Sequence, residues 1–587
     1  MRRWTAFVLA AAALLLPVAI AQQDNDPILR AMHDELERSK MFKVASSDPP
    51  YYIEYEIEDA DVVVVSASLG ALIAQNHSSI KLPTVRVRLG SPAFDNANYA
   101  FSDYYSGSRL DPEQLPMDAN YGAVRQILWL ATDRAFKTAE EGIGRKRSAL
   151  KNVNLTENLP DYSAAPAVQS VSSLRHTPVD EAAWKNRVVK LSAIFAGYPA
   201  INSSGLEFQT IQATTYMANN EGTTLRYPED LTFLRVRAFT QAPDGMPLRD
   251  AEVFQAGDLS LFPSELDLKR GITAVAEELT ALTKAPIGET YDGPVMFEPR
   301  AAAQLFAQVL GDNLKISRKP IGEPGRNVPY LPSELETKVG ARILPEWMDV
   351  VDDPAQTEWQ GQPLFGHYGF DMEGVRPQPL NLVEKGVLKA FLLTRTPVMK
   401  GFEASNGHAR MRGNFAQMAP GFGNLFIRAS QAVSSEELKK KLVDLVKQRN
   451  KPYGLLVRKL DFPSGMSLEE LRHTMSAMAQ SGGGTRPVAL PMLVYRVYPD
   501  GREELVRGLR FRGVSTRSFK DIAAATNDSY VFNFMDSPVP FASMGAGPFV
   551  TNASVISPGI LFEELELERV QEDLPKLPIV PPPAMGF

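Results

Sequence analysis

The chain contains no cysteine. Disulfides, thiol nucleophiles, iron–sulfur clusters and every cysteine-bearing zinc site are therefore excluded. Histidine is scarce: His33, His77, His176, His367, His408 and His473 are the whole supply in 587 residues. Any metal chemistry within this chain must use these and carboxylates. No His-Glu-x-x-His occurs, and no two histidines stand at helical-ligand spacing. No Gly-x-Ser-x-Gly nucleophile elbow occurs either. Ser78-Ser-Ile-Lys81 and Ser148-Ala-Leu-Lys151 match Ser-x-x-Lys, but the partner motifs Ser-Asp-Asn and Lys-Thr-Gly are missing. Ser481-Gly-Gly-Gly484 lacks the Gly-Lys-Ser/Thr ending of a phosphate loop. There is no long basic run and the net charge is −7, so no nucleic-acid surface is expected.

What is present suits a folded protein of more than one domain. Hydrophobic residues make up 44% and charged residues 22%, which argues against wholesale disorder. The length exceeds what one hydrophobic core supports. Arg2 and Arg3 precede an apolar run from Trp4 to Ile20, and Ala19-Ile20-Ala21 has the small-x-small form of a cleavage site. Residues 1–21 are therefore read as a signal peptide. The expected destination is the periplasm or the outside of the cell, with no stable membrane span in the remainder.

Hydrophobic spacing predicts an α+β protein. Residues 22–290 form an N-terminal region of antiparallel strands and long helices, and residues 291–570 a strand-rich, barrel-like C-terminal domain. Residues 571–587 form a proline-rich tail. Helices are expected over 27–42, 120–151, 184–198, 261–284 with Ser264 as cap, 299–310, 435–448 and 466–480. Strands are expected over 51–57, 62–65, 84–89, 206–217, 231–239, 293–297, 350–353, 364–370, 381–383 and 387–393. Pro499-Asp500-Gly501 marks a hairpin between 493–497 and 504–506.

Two stretches concentrate chemistry. Asp352 and Asp353 stand about twenty residues before Asp371 and Glu373. Four carboxylates can bind a hard cation or supply acid and base, or can serve turns beside Pro354 and Gly374. The second stretch is Arg395 with Ser405-Asn-Gly-His-Ala-Arg-Met-Arg412. Arg395, Asn406, His408, Arg410 and Arg412 could grip an anionic ligand or a partner, or could form a paired surface loop.

The same residues carry a family resemblance. Gly293-Pro-Val-Met-Phe-Glu-Pro-Arg-Ala-Ala-Ala-Gln-Leu-Phe306, Trp347-Met-Asp-Val-Val-Asp-Asp353, Phe370-Asp-Met-Glu-Gly374, Asn381-Leu-Val-Glu-Lys-Gly-Val-Leu-Lys-Ala390, Ser405-Asn-Gly-His-Ala-Arg410 and Val497-Tyr-Pro-Asp-Gly501 follow one another in order. A segment over 509–525 completes the series as a helix-bearing piece. Together they resemble the TldD/PmbA metalloproteases, also called modulators of DNA gyrase. In that family a helix carries His-Glu-x-x-x-His, and a late cysteine completes the zinc site. Here the matching positions read Ala307, Gln308 and Asp312, and Ser537–Gly547 covers the late region without a cysteine. The resemblance thus implies a zinc-less subunit with no metal and no catalytic residue of its own. Zinc is expected in a TldD-like partner of a heterodimer, with a homodimer as the other arrangement and a peptide as substrate. A self-sufficient hydrolase using the carboxylates, and a peptide-binding envelope module, are the competing readings.

Overall fold

A computed structural model describes residues 26–41, 49–100, 114–151, 159–323, 328, 330, 332–412, 417–462, 488–536, 551–571, 574–578 and 580, with Arg412 described by its backbone alone. The segment 1–21, the expected helix 466–480, the 481–484 loop and the late region 537–547 lie outside these residues. Among the described residues, no helix is long and apolar enough to cross a membrane.

The chain opens on the helix Pro27–Ser39. Asp26 caps it by accepting from the backbone N–H groups of Ile28 and Leu29, and Pro27 fits the first turn, where no N–H is needed. Ile28, Leu29, Met32 and Leu36 form its buried stripe. They meet Leu128 and Phe136 of the helix Tyr121–Leu150 over Tyr55 and Val87 of the sheet beneath.

That sheet has eight strands. The expected strands at 51–57 and 62–65 are one strand, Pro50–Ser68, paired antiparallel with Ala71–Ser91 on one side and Ser203–Asn219 on the other. The acidic stretch between them does not break it, because Lys81 pairs with Asp59, and His77 and Ser79 bond Asp61, across the ladder. Leu231–Gln241 and Pro247–Ala256 extend the sheet. The helices Glu181–Ser192 and Glu265–Lys284 cover this end around Phe208, Val236 and Val275. Ser264 caps the second of these helices, as its spacing predicts.

After Lys284 the chain enters an eleven-stranded sheet. Its centre is Thr551–Arg569. Asn424–Ala429 lies parallel to the first part of this strand, and Tyr291–Phe297 antiparallel to its last part. Val387–Leu388 and Glu503–Val506 end the path, so among the described residues the sheet stays open and does not close into the expected barrel. Residues 364–370 form turns, not a strand: the Phe365 N–H goes to the side chains of Asn533 and Ser554, and the Tyr368 N–H to Pro354 O. The expected helix within 509–525 shortens to one 3₁₀ turn, Ser518–Asp521, between two strands.

Candidate functional site

Pro299 starts the helix that carries the degenerate positions. It is α-helical over Pro299–Leu305, widens to a π turn over Phe306–Gly311, and resumes as a short α turn at Asp312–Leu314. An i→i+5 turn brings residues five apart towards one side, which an α-helix does not. Ala307 and Asp312 are such a pair. Gly311 sits where a Cβ would come within 2.7 Å of the Phe422 ring, so the turn accommodates that ring only because the position is glycine.

Each degenerate position is committed inside the chain. Ala307 is buried and carries no donor atom. Gln308 donates from Nε2 to Gln304 O at 3.1 Å and accepts the Ala489 N–H on Oε1 at 2.9 Å. Asp312 Oδ1 accepts from Lys315 Nζ at 2.9 Å, and the same ammonium bonds Asp536 Oδ2. Lys315 is almost fully buried, 4.8 Å from the centre of the Phe422 ring. Burial pulls its pKa down, but the Asp312 and Asp536 carboxylates outweigh that and hold it above the ordinary lysine value. A zinc ion does not fit this donor set. One position has no ligand atom, one is a neutral amide already bonded to the backbone on both its nitrogen and its oxygen, and the carboxylate already faces a cation. Among the described residues, no three His, Asp or Glu side chains are grouped to hold a metal ion.

The two charged stretches singled out in the sequence converge in one buried cluster. Asp352 ends the strand Met348–Asp352, and its Oδ2 lies 2.8 Å from His408 Nε2 and accepts the Gly423 N–H. Asp371 accepts N–H bonds from Glu373, Val375 and Ala409. Burial, then the charge of Glu373, push Asp371 up to about 7 against those three donors. Glu373 accepts the Arg395 backbone N–H at 2.6 Å. The Arg395 guanidinium reaches into the first sheet's region. It makes a bidentate pair with Glu221, bonds Ser163 O and lies 4.1 Å from the Tyr162 ring centre. Arg410 lies over Tyr368 at 3.8 Å. Asn406 fixes the loop by accepting the Leu393 N–H and donating to Phe391 O. Gly407, at φ +81°, lets the turn pass Pro377, where a Cβ would come within 2.6 Å. Asp353 stands apart and serves the turn through Ala355 and Gln356. These groups satisfy one another and join the two sheets; apart from an open Asp352 Oδ1 and Arg410 Nε, little is left for a ligand.

A small cleft of about 30 Å³, partly open to solvent, lies between the strand Pro247–Ala256 and the second sheet. Glu252, Arg300, Lys459, Asp461, Phe462 and Phe532 line it. Its charges pair the strand Pro247–Ala256 with the facing elements: Lys459 with Asp250 at 2.7 Å, Arg300 of the helix Pro299–Leu305 with Glu252 at 2.7 Å, and Asp461 with Arg249. Sequence reasoning missed this cleft and also missed Lys315 and Asp536. Only the Asp312–Lys315 spacing could have signalled the pair.

Residues 289–483 match the family model of the PmbA/TldA metallopeptidase C-terminal domain. Over these residues the chain is similar to the PmbA/TldD metallopeptidases. It is 25% identical over 269 residues to a metalloprotease of Methanothermobacter thermautotrophicus, covering 45% of this chain and 56% of that protein. The chain thus spans little more than half the length of that relative. A metalloprotease of Archaeoglobus fulgidus is 35% identical over 79 residues, 14% of this chain and 17% of that protein. In fold, the chain is similar to TldE from Thermococcus kodakarensis, with a TM-score of 0.54 and 14% identity over 92% of this chain and 100% of that one. A Thermotoga maritima structure described as a DNA gyrase modulator gives a TM-score of 0.52 at 15% identity, covering 88% of this chain and 96% of that one.

Proposed function

We propose that this chain is the non-catalytic, zinc-less subunit of an exported metalloprotease complex that degrades peptides or unfolded segments. A zinc-bearing family member would supply the metal and the water-activating base. The observation that carries this reading is the π turn. The helix keeps a geometry that brings positions 307 and 312 together, yet Ala307 offers no ligand, Gln308 cannot take a proton, and Asp312 is held by Lys315. A self-sufficient carboxylate hydrolase is less well supported, because Asp371 and Glu373 are sealed by donors within the chain.

Purification at native expression level tests the proposal. A second chain carrying His-Glu-x-x-x-His should copurify, and the mixture should cleave unfolded peptides in a chelator-sensitive way. A lone chain that recovers no such partner would contradict it. Export is tested by N-terminal mass analysis of protein from its native host: the expected start is Gln22, and an intact Met1 on membrane-bound material would overturn cleavage.

A further inference from the structure

Arg235 and Arg237 stand two apart on the strand Leu231–Gln241, so both side chains leave the same face of the first sheet. Leu234, Val236 and Ala238 take the opposite face, under the helices Glu181–Ser192 and Glu265–Lys284. The two arginines are not equivalent. Arg235 Nη1 lies 3.4 Å from Glu207 Oε1, and its guanidinium lies 5.0 Å from the Phe233 ring centre. Arg237 has no hydrogen bond and no ion pair among the described residues, and its Nε and Nη2 are both buried. Burial pulls its pKa down, and the charge of Glu207 offsets only part of that. The sheet is thin on either side of it. Its cross-strand neighbours are Gly205 on the strand Ser203–Asn219 and Ala251 on the strand Pro247–Ala256. A Cβ at Gly205 would meet nothing within 4 Å, so the space beside Arg237 is open. Ala251 and Val253 also line the small cleft, which places this notch beside it.

We infer that the notch at Arg237 binds a monoanionic carboxylate, from the chain end of a peptide or from a small free acid. Nε–H and Nη2–H form one edge of the guanidinium, and that edge matches the two oxygens of a carboxylate in a bidentate pair. These are the two atoms that the chain buries and leaves without a partner. A buried donor left unpaired costs free energy, and a buried charge left unpaired costs more, so a ligand that fills this edge regains both. One unpaired guanidinium calls for one negative charge, which a carboxylate supplies and a dianion exceeds. Gly205 and Ala251 leave room for the carboxylate carbon and the first atoms behind it. The inference rests on this geometry and not on the existence of a partner subunit.

The test uses the purified chain with three probes: N-acetyl-trialanine bearing a free carboxylate, its C-terminal amide, and acetate. Each is followed by titration calorimetry and by thermal unfolding. The free-carboxylate peptide should bind saturably and raise the Tm, and the amide should do neither. Acetate that binds as well as the peptide would assign the notch to small free acids; a response to the peptide acid alone would assign it to chain ends. Arg237→Lys keeps the charge but loses the two-donor edge and should bind about tenfold more weakly or worse. Gly205→Val fills the open space and should keep the Tm of the unliganded chain while abolishing binding. Arg237→Met removes an uncompensated buried charge, so without ligand it should be at least as stable as the unmodified chain, and it should bind none of the probes. The inference is overturned if neither carboxylate binds, if acid and amide bind alike, or if Arg237→Lys binds as tightly as the unmodified chain. A clear fall in Tm for Arg237→Met would also overturn it, by showing an arginine that serves the fold. Failure to copurify a partner would count only against the subunit proposal.

Discussion

His408 Nε2 lies 2.8 Å from Asp352 Oδ2, and neither side chain reaches solvent. The other ring nitrogen, Nδ1, meets the backbone oxygen and the Oδ1 of Asn406, each at 2.9 Å. The Asn406 amide is oriented by its own partners, so both of these oxygens can only accept. Nδ1 therefore faces two acceptors, while Nε2 faces the Asp352 carboxyl. A residue that the sequence marked as a ligand-gripping candidate is bonded on both ring nitrogens inside a buried cluster.

Truncation of this pair should act on stability. His408→Ala leaves the buried Asp352 carboxylate with the Gly423 N–H and no ring partner. Breaking a buried pair from one side costs about 3–5 kcal/mol. The denaturant midpoint of the transition that unfolds the second sheet should fall accordingly. An unchanged midpoint would mean that the pair contributes nothing and that the site is free to serve another purpose.

The buried acids give a pH dependence of definite sign. Burial raises Asp371 to about 7 in the folded chain, and raises Glu373 as well, whereas the unfolded chain titrates near ordinary carboxylate values of about 4. Between those limits the folded state binds more protons. Its stability through these groups is full below about pH 4 and is lost as pH rises through about 7. Asp371→Asn should flatten that part of the curve. Urea midpoints measured across this range test it; parallel curves for the two proteins would contradict the assignment.

Restoring the family motif on the helix should not restore full activity. Ala307→His, Gln308→Glu and Asp312→His together rebuild two ligands and the base, but the chain has no cysteine to complete the set. Lys315 and Asp536 also remain, leaving an ammonium beside the new ligands. The expected result is sub-stoichiometric or weak zinc binding, with peptide cleavage well below that of an intact zinc-bearing relative. Full activity in this variant would show that the late ligand is dispensable.

Much of this was legible where local pattern and packing agree. The helix Pro27–Ser39 announces itself by cap, proline and stripe, and the hairpin at Asp500-Gly501 by its turn. The π turn after Phe306 interrupts what the sequence presents as a plain helix over 299–310. The central strand Thr551–Arg569 is absent from the sequence reading, and Pro558 and Gly559 interrupt its pattern. In the fold they fall where the strand changes partners, from Asn424–Ala429 to Tyr291–Phe297. The convergence of Asp352 with His408, and of Lys315 with Asp536, depends on sheet order, which no local spacing encodes.

Zinc content of the purified chain, measured by elemental analysis alongside chelator-treated peptide cleavage, tests the central claim most directly. The account predicts no stoichiometric zinc and no chelator-sensitive cleavage by this chain alone. One zinc per chain, with cleavage abolished by the chelator and restored by added zinc, would contradict it and make this chain the protease itself.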